Sequence, residues 1–496
     1  MLHDGCKNKE RTLLTNLLTG RRRWFVLTVL ATAQFMVILD STIVNVALPS
    51  IQGHLDFTVT GLQWVMNAYI LAFGGLMLLG GRVADLVGRR RIFLLGLVVF
   101  AAASFAGGWS PNGATLITAR AAQGIGAALL SPAALSIVTT IFPAGRDRNT
   151  ALGIWGALAG LGGTLGVILG GVLVNAYGWG SVFFVNVPIG LVALAFAVRL
   201  VPESEKDGDR HLDLGGAVTA TFGALLLVYS IVGANQYGWT SFRTDGLLIA
   251  ALSLFAAFVA IERRATTPLV PLRLFRSRSI TSANVGQLLT GALFISMFFL
   301  ATLSMQNVLG YSALRTGFAF VPMGVAAVLS ATISSGLTTR FGAKRVYMIG
   351  AVVAASGLWS LSHITPGGSY LIELLPGLIV FGLGLPMCFV PTTIASQSGA
   401  TAEDAGASSG LVNAVGQIGS SIGLAVIVTV AAARTTQLRL EGVRPLLSLS
   451  NGFHVGYLVL VGIAAISFIF ALTVFPDVRP NLADASIQPT EAMDAL

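Results

Sequence analysis

The sequence predicts an all-α membrane protein of fourteen transmembrane helices: two related six-helix bundles with a helix pair inserted between them. Three observations carry that prediction. Of 496 residues, 54% are apolar and 10% charged, with a mean hydropathy of +0.81, whereas a soluble domain carries about 25% charge. Apolar stretches long enough to cross a bilayer core, roughly 17–25 residues each, recur at 24–47, 62–80, 92–109, 115–141, 150–174, 181–200, 214–233, 246–261, 281–308, 317–338, 346–363, 371–395, 411–432 and 454–475. Basic residues alternate between these runs. With the N-terminus in the cytoplasm, the inner segments hold 24 Lys and Arg, the outer loops 5, and Arg120 lies within a span. Losing or adding one span would scramble that positive-inside pattern, so both termini are expected to be cytoplasmic.

Residues 1–23 form a cytoplasmic segment ending in Arg21-Arg22-Arg23. The apolar run from Trp24 continues to Ser50 without a small-residue cleavage signature, so it reads as an uncleaved first span. The N-terminal six-helix bundle occupies 24–200. A polar cytoplasmic linker follows at 201–213, and the inserted pair lies at 214–261, its second member (246–261) the weakest of the fourteen. A second linker covers 262–280, the C-terminal bundle 281–475, and a cytoplasmic tail 476–496. The bundles carry matching motifs. Gly81-x-x-x-Asp85-x-x-Gly88-Arg-Arg-Arg91 follows span 2, and Gly336-Leu-Thr-Thr-Arg340-Phe-Gly342-Ala-Lys344-Arg345 follows span 10, one residue shorter and with Arg in place of the acid. Span 4 carries Gln123-Gly124-Ile-Gly126, and span 12 carries Phe381-Gly382-Leu-Gly384. Transporters built from such repeats hold their substrates between the halves, near the midplane.

Composition also excludes several classes. The net charge of +9 sits in short loops between apolar runs, so a nucleic-acid surface is not expected. The four lysines (Lys7, Lys9, Lys206, Lys344) never follow a glycine, which excludes a Walker A loop and an ATP site of that kind. Cys6 and Cys388 imply no disulfide framework. His363 and His454 sit near span ends, and no histidine–acid spacing indicates a metal. No cofactor is expected, and a membrane enzyme would need a clustered nucleophile or metal site that the sequence lacks.

Ionisable groups within spans are costly and are functional candidates for that reason. Asp40 lies about 24 Å along span 1, and Arg120 about 8 Å into span 4, which runs the other way. The two are therefore expected at similar depth, within pairing reach, in the outer half of one bundle. The position aligned with Arg120 in the second half is Leu378, which confines the charge to the first. Burial raises an Asp pKa and a nearby Arg lowers it. A changing Asp40–Arg120 distance would thus change proton affinity, as a proton-driven exporter requires. At about 150 mV one proton supplies roughly 3.5 kcal/mol, enough for a few-hundred-fold substrate gradient. The alternative is a structural ion pair tying spans 1 and 4 together.

In the stretch 81–91, expected as a tight basic loop, Asp85 stands among arginines between Gly81 and Gly88. A carboxylate there can face a helix N-terminus and pair with Arg89 or Arg90, a latch that breaks when the cytoplasmic side opens. Positive charge alone is ordinary for such a segment. Span 5 carries Gly153, Gly156, Gly160, Gly162, Gly163, Gly166, Gly170 and Gly171. That spacing either lets helices approach closely or gives a pliable helix that seals and rocks. Gln34, Asn45, Trp64, Asn67, Gln123, Gln287, Asn413 and Gln417 are candidates to line a cavity for amphipathic molecules, each alternatively an interhelical hydrogen bond. Glu373 sits at the outer edge of span 12, where it is expected to be solvated.

These residues resemble the fourteen-span drug/proton antiporters of the major facilitator superfamily. Leu39-Asp40-Ser-Thr-Ile-Val-Asn-Val-Ala-Leu-Pro49 is similar to that group's span-1 signature, and Gln63-Trp64 through Tyr69 to its span-2 opening. Arg120-Ala-Ala-Gln-Gly124 resembles the span-4 basic motif. Trp179-Gly-Ser-Val-Phe-Phe-Val-Asn186-Val-Pro188-Ile-Gly190 resembles the start of span 6, and Pro271-Leu-Arg-Leu-Phe-Arg276 the segment before span 9. The likeness runs from about residue 24 to 475. It implies proton-coupled efflux of lipophilic, often cationic compounds, with Asp40 and Arg120 in coupling and Asp85 in gating. One departure stands out: the span-5 motif Gly-Pro-x-x-Gly-Gly reads Gly166-Val167-Ile-Leu-Gly170-Gly171 here, without the bend that proline fixes.

The expected partners are protons, a lipophilic small molecule and the lipid bilayer of a bacterial plasma membrane, with the chain a monomer. High Ala, Gly and Arg usage with few Lys points to a GC-rich bacterial genome. Export or uptake of a specific metabolite by the same machinery is the nearest alternative. An alternative from another class is a membrane scaffold or sensor without transport, for which Asp40 and Arg120 are a costly pair to keep.

Overall fold

The structure is a computed structural model that describes residues 21–142, 146–203, 213–265, 268–400 and 405–478. These residues are helical throughout, with no strand among them. In chain order the helices are α1 (Arg21–His54), α2 (Val59–Val87), α3 (Arg89–Gly108), α4 (Gly113–Ile141), α5 (Arg146–Tyr177), α6 (Ser181–Phe184) and α7 (Asn186–Leu200). Then come α8 (Leu214–Tyr237) and α9 (Phe242–Arg264). The second half comprises α10 (Arg278–Leu303), α11 (Ala313–Ala319), α12 (Val321–Phe341), α13 (Ala343–Ser362), α14 (Leu375–Ser398), α15 (Ala405–Leu440) and α16 (Pro445–Thr473). Thirteen helical segments among the described residues are long and apolar enough to span a membrane, and Gly162–Tyr177 within α5 is a shorter apolar stretch. The protein is therefore a multi-pass membrane protein.

Two predicted spans carry a one-residue interruption of regular helical bonding, with Val185 and Phe320 themselves keeping helical dihedrals. Span 6 divides into α6 and α7 at Val185, just ahead of Pro188, whose ring clashes with the fourth preceding carbonyl and whose nitrogen cannot donate. Span 10 divides into α11 and α12 at Phe320, where Pro322 acts in the same way. Two single-turn π-helices, Ser304–Val308 and Tyr370–Leu374, end span 9 and begin span 12.

The predicted loop at 81–91 is not a loop. Helix α2 runs through Gly81 and Asp85 to Val87, α3 starts at Arg89, and Gly88 alone turns the chain, at φ 114°. Only glycine adopts that backbone freely, so one residue suffices where a longer hinge was expected. Gly342 (φ 88°) repeats the device between α12 and α13. The ends carrying Gly88 and Gly342 are called the hinge face below, and the opposite ends the far face.

Packing repeats as the motifs do. A Cβ on Gly96 would lie 2.7 Å from the Leu130 nitrogen, and one on Gly126 2.7 Å from the Phe100 nitrogen. Gly350 and Gly384 hold α13 against α14 at matching positions, a Cβ on Gly350 falling 2.7 Å from the Met387 backbone. Without these side chains the helix backbones approach closely, which drives association in lipid. Helix α8 rests on α2 and α15, with Gly75 against Thr221 (2.7 Å) and the Thr429 hydroxyl donating to the Ile231 carbonyl (3.3 Å). Helix α9 packs on α8 and lies outermost.

Candidate functional site

Asp40 and Arg120 meet. Arg120 Nη1 donates to Asp40 Oδ2 at 2.5 Å, and both side chains are fully buried. Because Gln123 lies one helical turn beyond Arg120 it shares that face of α4. Its amide oxygen accepts from Arg120 Nη1 (3.0 Å), while its Nε2 donates to Asp40 Oδ1 (2.9 Å) and to the Ser104 hydroxyl of α3 (2.7 Å). Asn186, the first residue of α7, adds a second donor to Oδ1 through Nδ2 at 2.8 Å. Arg120 Nε donates to the Val65 carbonyl of α2 at 2.8 Å. The guanidinium also lies 4.2 Å from the Tyr69 ring centroid and 5.9 Å from that of Phe183. Five helices of one half thus close around a single carboxylate. Breaking a buried pair from one side costs about 3–5 kcal/mol, because an uncompensated charge remains.

The equivalent place in the second half is apolar: Leu378 and Phe381, at the positions of Arg120 and Gln123, are both fully buried. The charge is confined to one half, as the sequence indicated.

At the hinge face, Arg89 Nε pairs with Asp85 at 3.0 Å, and Arg89 Nη1 donates to the Thr140 hydroxyl at 2.5 Å. Arg90 goes elsewhere, to Glu203 (3.3 Å) and the Val198 carbonyl (2.5 Å). Gly81 faces Pro132, with 3.5 Å from its Cβ position to the proline Cβ. Asp85 is therefore held by its own half. Arg23 of α1 pairs with Asp147 of α5. In the second half, the chain leaving α16 straps the hinge. Phe475 is 1% exposed and stacks on Tyr347 with centroids 5.2 Å apart. The Val478 carbonyl accepts from Ala343 N (2.8 Å), and Asp477 lies against Gly342. That strap brings an acid to the hinge whose own motif lacks one.

The glycines of α5 divide by face. Gly162, Gly166 and Gly170, four apart, meet Ile38, Thr42 and Ile43 of α1, and Gly171 lies against α11, its Cβ position 2.7 Å from the Ala313 carbonyl. From α11, Gly317 returns the contact, its Cβ position 2.6 Å from the Val167 carbonyl. The halves are sealed here, toward the far face, where Gln306 Nε2 also donates to the Val46 carbonyl (2.9 Å). A Cβ on Gly163 would meet nothing within 4 Å. Gly153, Gly156 and Gly160 lie outside the residues described at side-chain level.

The polar candidates separate likewise. Gln123 belongs to the Asp40 network. Trp64 packs against the inserted pair, 6.0 Å from Tyr229. Asn45 donates to the Ser41 carbonyl of its own helix (3.1 Å), and Asn413 to the Ser409 carbonyl (3.0 Å). Gln287 accepts from the Thr392 hydroxyl at 2.8 Å. The Gln417 side chain fills the space left by Gly74. Gln34 Oε1 and both polar atoms of Asn67 are buried with no hydrogen-bond partner among the described residues. Glu373 accepts from the Thr365 nitrogen (2.8 Å) and hydroxyl (3.0 Å). Sequence reasoning passed over Tyr69, Ser104 and Asn186 as site residues. Tyr69 and Asn186 stood within quoted motifs, whereas nothing marks Ser104, a lone serine in an apolar helix.

Helical repeats around a buried charge, with a seam between halves, define a membrane transporter, and comparison with known proteins gives its family. The sequence profile of the Major Facilitator Superfamily matches residues 30–424, and the chain belongs to that family. It is 41% identical to the cephamycin export protein CmcT of Amycolatopsis lactamdurans, over 97% of this chain and 96% of that one. It is 37% identical to the puromycin resistance protein pur8 of Streptomyces alboniger, over 94% and 95%. Among solved structures, a bacterial homolog of the human lysosomal transporter Spinster, inward-facing and unoccupied, matches with a TM-score of 0.67 at 17% identity, covering 92% of this chain and 98% of that one.

Proposed function

We propose that the protein is a plasma-membrane exporter of amphipathic organic compounds, antibiotics among them, that exchanges its substrate for protons. The observation that carries this is the Asp40–Arg120 pair, fully buried and confined to one half of a two-half transport fold. Relatives named for cephamycin export and puromycin resistance support the substrate class. In this reading the hinge face is cytoplasmic, as the Lys/Arg distribution favours. The far-face seam between α5 and α11 is then the outer gate in its closed position. The halves 24–200 and 281–475 rock about the midplane as one monomer, and Asp85 with Arg89 steadies the inner hinge. Asp40 takes up and releases the coupling proton as the separation from Arg120 changes, since the cation's proximity favours the carboxylate. Polar atoms of Gln34 and Asn67 that have no hydrogen-bond partner among the described residues are available to the substrate.

The test is transport of ethidium in proteoliposomes under an imposed pH gradient. Wild type is expected to move the dye at a rate that follows the gradient, and Asp40→Asn to lose that dependence. Full gradient-driven transport by Asp40→Asn would remove the coupling assignment. A wild type indifferent to the gradient would remove antiport itself.

A further inference from the structure

The two oxygens of Asp40 have unequal surroundings. Oδ2 receives Arg120 Nη1 at 2.5 Å, while Oδ1 receives Gln123 Nε2 at 2.9 Å and Asn186 Nδ2 at 2.8 Å. Every partner is a donor. That suits a carboxylate, which only accepts, and conflicts with a carboxylic acid, whose O–H needs an acceptor. A protonated Asp40 therefore requires one neighbour to change role.

Gln123 is not free to do so. Its Oε1 accepts from Arg120 Nη1 (3.0 Å), so turning that amide would break this bond and set its NH2 against the guanidinium, although the Ser104 hydroxyl could then donate to the oxygen. Asn186 is bound differently. Its Oδ1 is buried and has no hydrogen-bond partner among the described residues. A half-turn about its Cβ–Cγ bond, a broad two-fold torsion, exchanges Nδ2 for Oδ1 at Asp40 and sacrifices no other side-chain bond. Asn186 opens α7, two residues ahead of Pro188, whose nitrogen cannot donate within the span. Of the elements packed around Asp40, α4 presents Arg120 and α2 presents Tyr69 as charged or titratable groups. From α3 and α7 come the neutral Ser104 and Asn186.

We infer that Asn186 is a positioning residue that follows the protonation of Asp40, donating to the carboxylate through Nδ2 and accepting from the acid through Oδ1. This rests on the reading of Asp40 as the coupling group. Each protonation state then keeps its hydrogen bonds, so neither leaves an orphaned polar atom on the carboxyl group. Donation to the charged form is the stronger of the two bonds, and removing the amide raises proton affinity on balance.

Infrared spectroscopy of the detergent-purified full chain tests this without any substrate. The carboxylic-acid C=O band lost in Asp40→Asn is assigned to Asp40 and titrated with pH. In Asn186→Leu its midpoint is expected to rise by about one pH unit, a tenfold gain in proton affinity. The band should also move to higher wavenumber, because the acid O–H has lost its acceptor. Asn186→Ser, the milder change, should shift the midpoint in the same direction. An unchanged midpoint and band position in both variants overturns the inference, whatever ethidium transport shows. The opposite combination, a clear Asn186 effect with wild-type ethidium transport indifferent to the gradient, would sink the transport reading and leave the amide switch standing.

Discussion

Tyr69 links three helices through one side chain. Its ring lies 4.2 Å below the Arg120 guanidinium, and its hydroxyl donates to the Val37 carbonyl of α1 at 3.3 Å. A cation over a desolvated ring is stabilised by about 2 kcal/mol. Tyr69→Phe keeps the ring and should retain most transport. Tyr69→Leu removes the face and should lower the thermal midpoint in detergent and slow gradient-driven ethidium transport severalfold. Equal behaviour of the two variants would show that the ring face contributes nothing.

Arg120→Leu leaves Asp40 buried without its counter-charge, and a loss of about 3–5 kcal/mol is expected. Neutralising both partners, Asp40→Asn with Arg120→Leu, should recover part of that stability while gradient-driven transport stays absent. Thermal unfolding of the single and double variants checks it. A double variant no more stable than Arg120→Leu would contradict the pairing energetics.

The half-exposed Asp85–Arg89 pair is an i,i+4 contact, a type worth about 0.3–0.5 kcal/mol. Asp85→Asn should hardly move the unfolding midpoint, yet change the transport rate severalfold if the pair governs hinge motion. Stability and rate falling together would assign Asp85 a purely structural part.

Gly317 faces the Val167 carbonyl with no room for a side chain. Gly317→Leu forces the far-face seam apart, at a cost of about 1–3 kcal/mol to the sealed arrangement, a population shift of about fivefold or more. Spin labels at the exposed positions Tyr177 and Arg315 should report a longer separation in this variant. Distance distributions identical to those of the unsubstituted protein would exclude the seam as a gate.

Phe475 is buried on Tyr347. Phe475→Ala should cost about 3 kcal/mol and loosen the α12–α13 hinge, read as faster hydrogen exchange at Ala343, whose amide donates to Val478.

Much of this was legible in the chain because a bilayer leaves few options. Apolar run length marked the helices, and Arg and Lys marked their alternation. Asp40 and Arg120 were conspicuous because charge within a span is rare, and opposite chain directions placed them at one depth. The interruptions at Val185 and Phe320 were signalled by Pro188 and Pro322 yet lay hidden inside apolar runs. The loop expected at 81–91 shrank to Gly88 because polar residues at a membrane boundary remain helical as readily as they turn. Trp64 and Gln123 looked alike as cavity candidates. Their destinations, the inserted pair and the Asp40 carboxylate, depend on which helix stands opposite, and a single sequence does not encode that contact openly. The strap at Phe475–Val478 carried no motif.

Leu378 and Phe381 occupy, in the second half, the ground held by Arg120 and Gln123 in the first. The two halves therefore differ in kind at matching positions of a repeated motif. On the proposed reading, variation on the second half can alter recognition while the carboxylate and its escort of donors stay untouched.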